Sequence, residues 1–64
     1  MRDLYDRIKA LCDRKEMAIA QLERAAGLGN GTVGKWQNAS PNLAKLDAVA
    51  KVLGTTSSEL LRRE

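Results

Sequence analysis

The residues with the most evident chemistry lie together near the middle of the chain. Asn30 carries an amide that both donates and accepts hydrogen bonds, Thr32 offers a hydroxyl and a methyl group, and Lys35 carries an ammonium group. Gly31, beside them, adds no side chain at all. On a helix these four residues are left pointing outward, and a face so small and polar has no use in a protein core. It fits the floor of a DNA groove.

Two short helices are predicted to position these residues, over 19–26 and 30–38, with Gly27 in the turn between them. In the second helix Val33 and Trp36 lie three residues apart and therefore share one face. We expect that face to be buried, with Trp36 in the core rather than stacked on a base.

Gly31 and Gly34 stand inside the second predicted helix, where each costs about 1 kcal/mol relative to alanine. We interpret Gly31 as a point where the backbone approaches a duplex closely. We interpret Gly34 as a point where the helix packs tightly against a neighbour. The alternative is that one or both glycines simply fray a helix end.

Three further helices complete the prediction, which is an all-α fold: a compact bundle of five helices with no β-type alternation. They cover residues 3–15, residues 43–53 and a short stretch ending near 61. Apolar residues recur in them at intervals of three and four, as on helices that face a core. These residues are Leu4, Ile8, Leu11 and Cys12 in the first, and Leu43, Leu46, Val49, Ala50 and Leu53 in the second.

The ends of these helices carry their own signals. Asn42 is expected to cap the helix over 43–53, and Thr56 with Glu59 forms a capping box before the last helix. Glu16 stands at the exit of the first helix. A left-handed backbone there would cost roughly 1 kcal/mol for a residue other than glycine.

Composition narrows the class of protein. The chain has 64 residues, 44% of them hydrophobic, which predicts one domain over residues 1–64 with a single core. Its net charge of +3 favours a polyanionic partner without requiring one. No apolar run approaches the roughly 20 residues of a membrane span. Cys12 is the single cysteine and histidine is absent, so we expect a buried thiol in a reducing cytosol, with no metal site, no cofactor and no enzymatic centre.

The string GLGNGTVGKWQN, with Leu22 before it, resembles the helix-turn-helix of the lambda-repressor-like regulators, also called the Cro/CI or Xre family. The later stretch SPNLAKLDAVAKVLGTTSSELL resembles the fourth and fifth helices of that family, so the resemblance spans residues 4–61. It implies a lambda-repressor-like domain with its helix-turn-helix at residues 19–38.

The resemblance also implies sequence-specific binding to double-stranded DNA, with the second helix of the motif in the major groove. Base edges would be contacted by Asn30, which suits adenine, by Thr32, which suits a thymine methyl, and by Lys35, which reaches guanine or a phosphate. Gly31 lies among these base-contacting residues. The alternative for each is an ordinary helix-start or solvated surface residue. The phosphate contacts expected around this helix are Asn38, Ser40 and Lys45.

Two of the departures from the family pattern lie in the first helix of the motif. Ile19 replaces a glutamine that often clamps a phosphate, and Glu23 replaces a small residue where the two motif helices meet. Glu23 must tilt away or find a partner, because an exposed carboxylate at that place would repel DNA. Both departures favour the alternative hypothesis, which is a protein-interaction module or antitoxin of the same fold with weak or no DNA binding.

The resemblance further implies a transcriptional repressor, cytoplasmic and of bacterial or phage origin, that occupies two operator half-sites as a homodimer. Leu60 and Leu61 in the last helix form the expected dimer surface. The alternative is that both leucines only complete the core of one monomer. No small-molecule substrate is expected.

Overall fold

The computed structural model describes residues 2–62, and helices account for the regular structure within them. The predicted all-α fold is confirmed, with four α-helices and one short 3-10 helix where five helices were expected. No helix in this part of the chain is both long and apolar enough to span a bilayer. In chain order the elements are α1 (Arg2–Arg14), α2 (Ile19–Ala25), the 3-10 helix (Gly34–Gln37), α3 (Leu43–Leu53) and α4 (Ser57–Leu61).

The core forms around α1, which contacts α2, the 3-10 helix and α4. Its buried stripe follows the predicted four-residue interval through Leu4, Ile8 and Cys12. Trp36 of the 3-10 helix packs into the same core and is 4% exposed. The predicted structural role of Trp36 is therefore confirmed.

Cys12 behaves as the small buried hydrophobe that the sequence predicts. Burial raises the pKa of its thiol above the ordinary value; the Asp13 carboxylate adds to this shift and the Lys9 ammonium opposes it. The sulfur accordingly stays protonated and unreactive at neutral pH.

Most of the predicted stripe of α3 enters the core, namely Leu46, Val49, Ala50 and Leu53. Leu43 was placed on the same stripe, but it is 62% exposed, so that prediction is wrong. Leu43 is the first residue of α3 and follows the exposed loop at residues 38–40. At this end of the helix the core does not extend far enough to cover its side chain.

The residues directly before α3 and α4 cap these helices, as predicted for Asn42 and Thr56. The reciprocal half of the predicted capping box is not formed, because the Glu59 carboxylate pairs with Arg62 instead of the Thr56 N–H. The Asn42 Oδ1 atom accepts the backbone N–H of Ala44 at 2.8 Å and that of Lys45 at 3.4 Å. The Thr56 Oγ1 atom accepts the backbone N–H of Glu59 at 3.2 Å. Each cap satisfies amides that have no partner within the helix.

The ends of α1 and α2 share one left-handed exit built with different residues. After α1, Glu16 has φ +54°, and the following N–H donates to the Cys12 carbonyl oxygen at 2.9 Å. After α2, Gly27 has φ +74°, and the following N–H donates to the Glu23 carbonyl oxygen at 2.7 Å. Both are Schellman motifs, and the left-handed backbone at Glu16 is the case for which a cost of roughly 1 kcal/mol is expected.

Candidate nucleic-acid interface

The recognition segment, residues 30–37, is not the continuous α-helix predicted over 30–38. Residues 30–33 form turns, and only Gly34–Gln37 is regular, as a 3-10 helix. The cause is Gly31, whose φ of +85° no right-handed helix can accommodate. Beyond it the N–H of Lys35 donates to the Gly31 carbonyl oxygen at 3.2 Å, while that of Trp36 reaches only three residues back, to Val33 at 3.0 Å.

Gly31 and Gly34 differ in backbone conformation, and only the interpretation of Gly34 is contradicted by the structure. A Cβ atom built on either glycine meets nothing within 4 Å. Gly31 is required by its left-handed backbone. Gly34 lies in open space without a positive φ, so its interpretation as a tight packing contact is wrong.

Glu23 holds the start of the recognition segment from inside the protein. Its side chain is 2% exposed, and its two carboxylate oxygens accept separate backbone N–H groups. The Oε1 atom accepts from Gly31 at 3.1 Å, and the Oε2 atom accepts from Val33 at 2.8 Å. Hydrogen bonds to an ionised acceptor are stronger than neutral ones, and they offset the cost of burying the charge.

This arrangement resolves the departure that the sequence raised at Glu23. The carboxylate has found a partner in the motif's own backbone, and it is buried rather than presented to DNA. Sequence reasoning missed its positioning role, although a signal was present. The i, i+3, i+4, i+7 interval of an inward-facing stripe is occupied by Ile19, Leu22, Glu23 and Ala26. An acidic side chain at a buried position of this kind requires hydrogen-bond partners.

The predicted base-contacting residues share the surface of the recognition segment. Asn30, Gly31 and Lys35 are exposed, and Thr32 is half-buried. The Thr32 Oγ1 atom donates to the Gly29 carbonyl oxygen at 2.7 Å, so its hydroxyl hydrogen is already used. Thr32 therefore offers a partner only its methyl group and the lone pairs of its oxygen.

The predicted phosphate-contacting residues Asn38, Ser40 and Lys45 are all exposed, in the loop after the 3-10 helix and in the first turn of α3. Two backbone amides of that first turn are already bonded within the protein. The Asn42 side chain already accepts from Lys45 and its neighbour. Lys35 and Lys45 form no ion pair with residues 2–62, which leaves both ammonium groups available.

An all-helical chain with two short elements joined by a glycine turn, the second exposing a polar edge, belongs to the class of helix-turn-helix DNA-binding proteins. The family model of the Cro/C1-type helix-turn-helix DNA-binding domain matches residues 7–64. The chain belongs to that family, as the resemblance indicated. No curated protein and no solved structure matches it.

Proposed function

We propose that this DNA-binding domain is a sequence-specific repressor that reads double-stranded DNA through the recognition segment. The observation that carries the proposal is the combination of an exposed polar edge, Asn30 to Lys35, with the buried Glu23 carboxylate that fixes its backbone. A segment whose shape is set from within can present side chains to base edges without first being ordered by DNA.

Each residue of the edge has a distinct role in the proposed complex. The Asn30 amide donates to and accepts from the adenine edge in the major groove. Thr32 packs its methyl group on a thymine methyl, because its hydroxyl hydrogen is committed to Gly29. Lys35 reaches a guanine or a phosphate, and Gly31 lets the backbone lie close to the bases.

The flanking residues position the protein without reading sequence. Asn38 and Ser40 donate to phosphate oxygens from the loop after the 3-10 helix, and Lys45 adds a positive charge from α3. Contacts of this kind release counterions, so they make affinity depend strongly on salt concentration.

A single recognition segment contacts few base pairs, so we propose that two copies occupy neighbouring half-sites as a homodimer. In α4, Leu60 is 3% exposed and completes the core, whereas Leu61 is 40% exposed. Leu61 is thus the leucine that a partner copy would cover. Repression follows when the dimer occupies an operator that a polymerase requires.

The hypothesis of a protein-interaction or antitoxin module rested on Glu23 and Ile19. That support weakens, since the Glu23 carboxylate is buried and bonded to the motif's own amides. A helix-in-groove protein contact would also lack the steep salt dependence expected for DNA.

The test begins with selection of bound duplexes from a random DNA pool. A repressor of this type should enrich one motif repeated about one helical turn apart. On that duplex, Asn30→Ala should lose about 1–3 kcal/mol of binding free energy but little on random DNA, while Lys45→Ala should weaken both. Failure to enrich any motif, or equal losses for Asn30→Ala on both duplexes, would contradict sequence reading by this segment.

A further inference from the structure

A second surface lies between α1 and α4, apart from the recognition segment. It is an open groove of about 460 Å³, and none of the residues lining it belongs to the helix-turn-helix at 19–38. From α1 it takes Arg7, Leu11 and Arg14, which recur along one face at intervals of three and four residues. This face lies beside the core stripe of α1 and is not fully buried.

The groove has an apolar floor and a cationic rim. Ala10, Leu11 and Leu60 line it with aliphatic carbon. Three arginines, Arg7, Arg14 and Arg62, surround that floor, against one acidic side chain, Glu59.

The arginines differ in how they are held. The Arg7 Nη1 atom donates to the backbone carbonyl oxygen of Glu59 at 3.2 Å and to that of Leu60 at 3.5 Å, so its guanidinium is fixed across the seam between the helices. Arg62 pairs with Glu59 at 3.5 Å, but both side chains are more than half exposed. Because such exposed pairs contribute little stability, Arg62 can leave Glu59 for another carboxylate. Arg14 is exposed and forms no ion pair with any residue of 2–62.

We propose that this groove binds an acidic, amphipathic segment of a partner protein. Apolar side chains of that segment cover Ala10 and Leu11, while its carboxylates bond to the planar guanidinium groups of Arg7 and Arg14. Because Arg7 is already held by α4, its ordering adds little entropic cost on binding.

Two other occupants fit the groove less well. A nucleic-acid backbone has no apolar side chains with which to cover the floor of the groove. A second copy of this chain, related by twofold symmetry, would place arginines against arginines. The charge pattern therefore selects an acidic protein segment.

The test uses the whole chain and a fluorescent synthetic peptide of about 12 residues, with leucines on one helical face and glutamates beside them. Binding is measured by anisotropy. Arg14→Glu should weaken it about tenfold or more, since an attractive contact becomes repulsive. The matched control is Lys15→Glu, which makes the same charge change one residue away, outside the groove, and should weaken binding less than about twofold.

A third variant, Ala10→Glu, tests the groove without touching an arginine. Ala10 is exposed, so the fold tolerates the change, while the added carboxylate obstructs the floor and repels the peptide. Amide chemical shifts of the unmodified chain should move in residues 7–14 and 55–62 when the peptide is added.

Three results would overturn the proposal: no binding, equal losses for Arg14→Glu and Lys15→Glu, or shifts confined to residues 30–45. The last would mean that the peptide merely imitates DNA on the recognition segment. Arg14→Glu should also keep the operator preference of the unmodified chain. The proposal for the groove and the proposal for DNA binding can thus be contradicted independently of each other.

Discussion

Two neighbouring segments of this protein begin in contrasting ways. α3 is capped by Asn42, an exposed residue directly before it, which accepts two amides of its first turn. The recognition segment also has two amides accepted by one side chain, but that side chain is Glu23, buried and eight to ten residues earlier in the chain. A local cap makes a helix self-sufficient, whereas a distant one makes the recognition segment depend on α2.

The contrast explains why a segment with two glycines keeps a defined shape. Its intrinsic helical preference is poor, because Gly31 and Gly34 both disfavour helix formation. The two bonds to Glu23 and the burial of Trp36 supply the stabilisation that helix propensity does not provide. The motif is thus held by tertiary contacts, and α3 by local ones.

Removal of the distant cap should have the largest effect. Glu23→Ala leaves the Gly31 and Val33 amides without their acceptor, and we expect the free energy of unfolding to fall by about 3 kcal/mol. Urea denaturation measures this loss.

If Glu23→Ala fails to fold, Glu23→Gln provides the same test. Its amide keeps one oxygen acceptor, so the free energy of unfolding should fall by about half as much as in Glu23→Ala. Hydrogen exchange at Gly31 and Val33 should accelerate more than exchange in α3. A fall in stability no larger than that of Asn42→Ala would show that Glu23 contributes no more to stability than the local cap of α3 does.

Gly31→Ala should follow in size. Alanine at φ +85° is strained, so we expect a loss of about 1–2 kcal/mol and weaker operator binding as the edge changes shape. Gly34→Ala is the matched control, and it should stabilise the chain by about 0.5–1 kcal/mol, since its Cβ enters open space. Thermal unfolding of the pair gives the comparison, and equal effects would contradict it.

Loss of the local cap should cost less. Asn42→Ala removes an exposed acceptor whose amides can turn to water, and about 1 kcal/mol of stability should be lost. Asn42→Ser should restore most of it. Preference among DNA sequences should stay unchanged, and a shift in that preference would mean that α3 and the recognition segment are coupled after all.

The smallest effect is expected at the exit of α1. Glu16→Gly relieves a left-handed residue with φ +54°, and it should raise stability by about 0.5–1 kcal/mol after the greater freedom of the unfolded chain is included. The urea midpoint reports the change. Gly27→Ala, at the equivalent exit of α2, should shift it in the opposite direction.

The sequence predicted the segments governed by local rules. α1 and α3 are 13 and 11 residues long, enough for their periodicity to be visible, and the caps at Asn42 and Thr56 use side chains next to the helices they serve. In each case the deciding interaction lies within a few residues.

What the sequence did not predict depends on distant contacts. The form of the recognition segment depends on the left-handed Gly31 backbone together with the Glu23 carboxylate that binds its amide. The exposure of Leu43 depends on where the core stops, and the environment of Gly34 on the absence of a close neighbour. The exposed positions of Asn30 and Lys35 were predicted, because outward placement follows from the burial of Val33 and Trp36. Their contacts with DNA stay predictions.

The bonds from Glu23 reach the main chain of the recognition segment and none of its outward side chains. Residues 30 and 35 can consequently be substituted without breaking the hydrogen bonds that Glu23 makes to the main chain. In the proposed complex with DNA, variation at these two positions would change the preferred DNA site while the fold stays intact. The bonds that Glu23 makes to the main chain would hold the segment whichever side chains occupy those two positions.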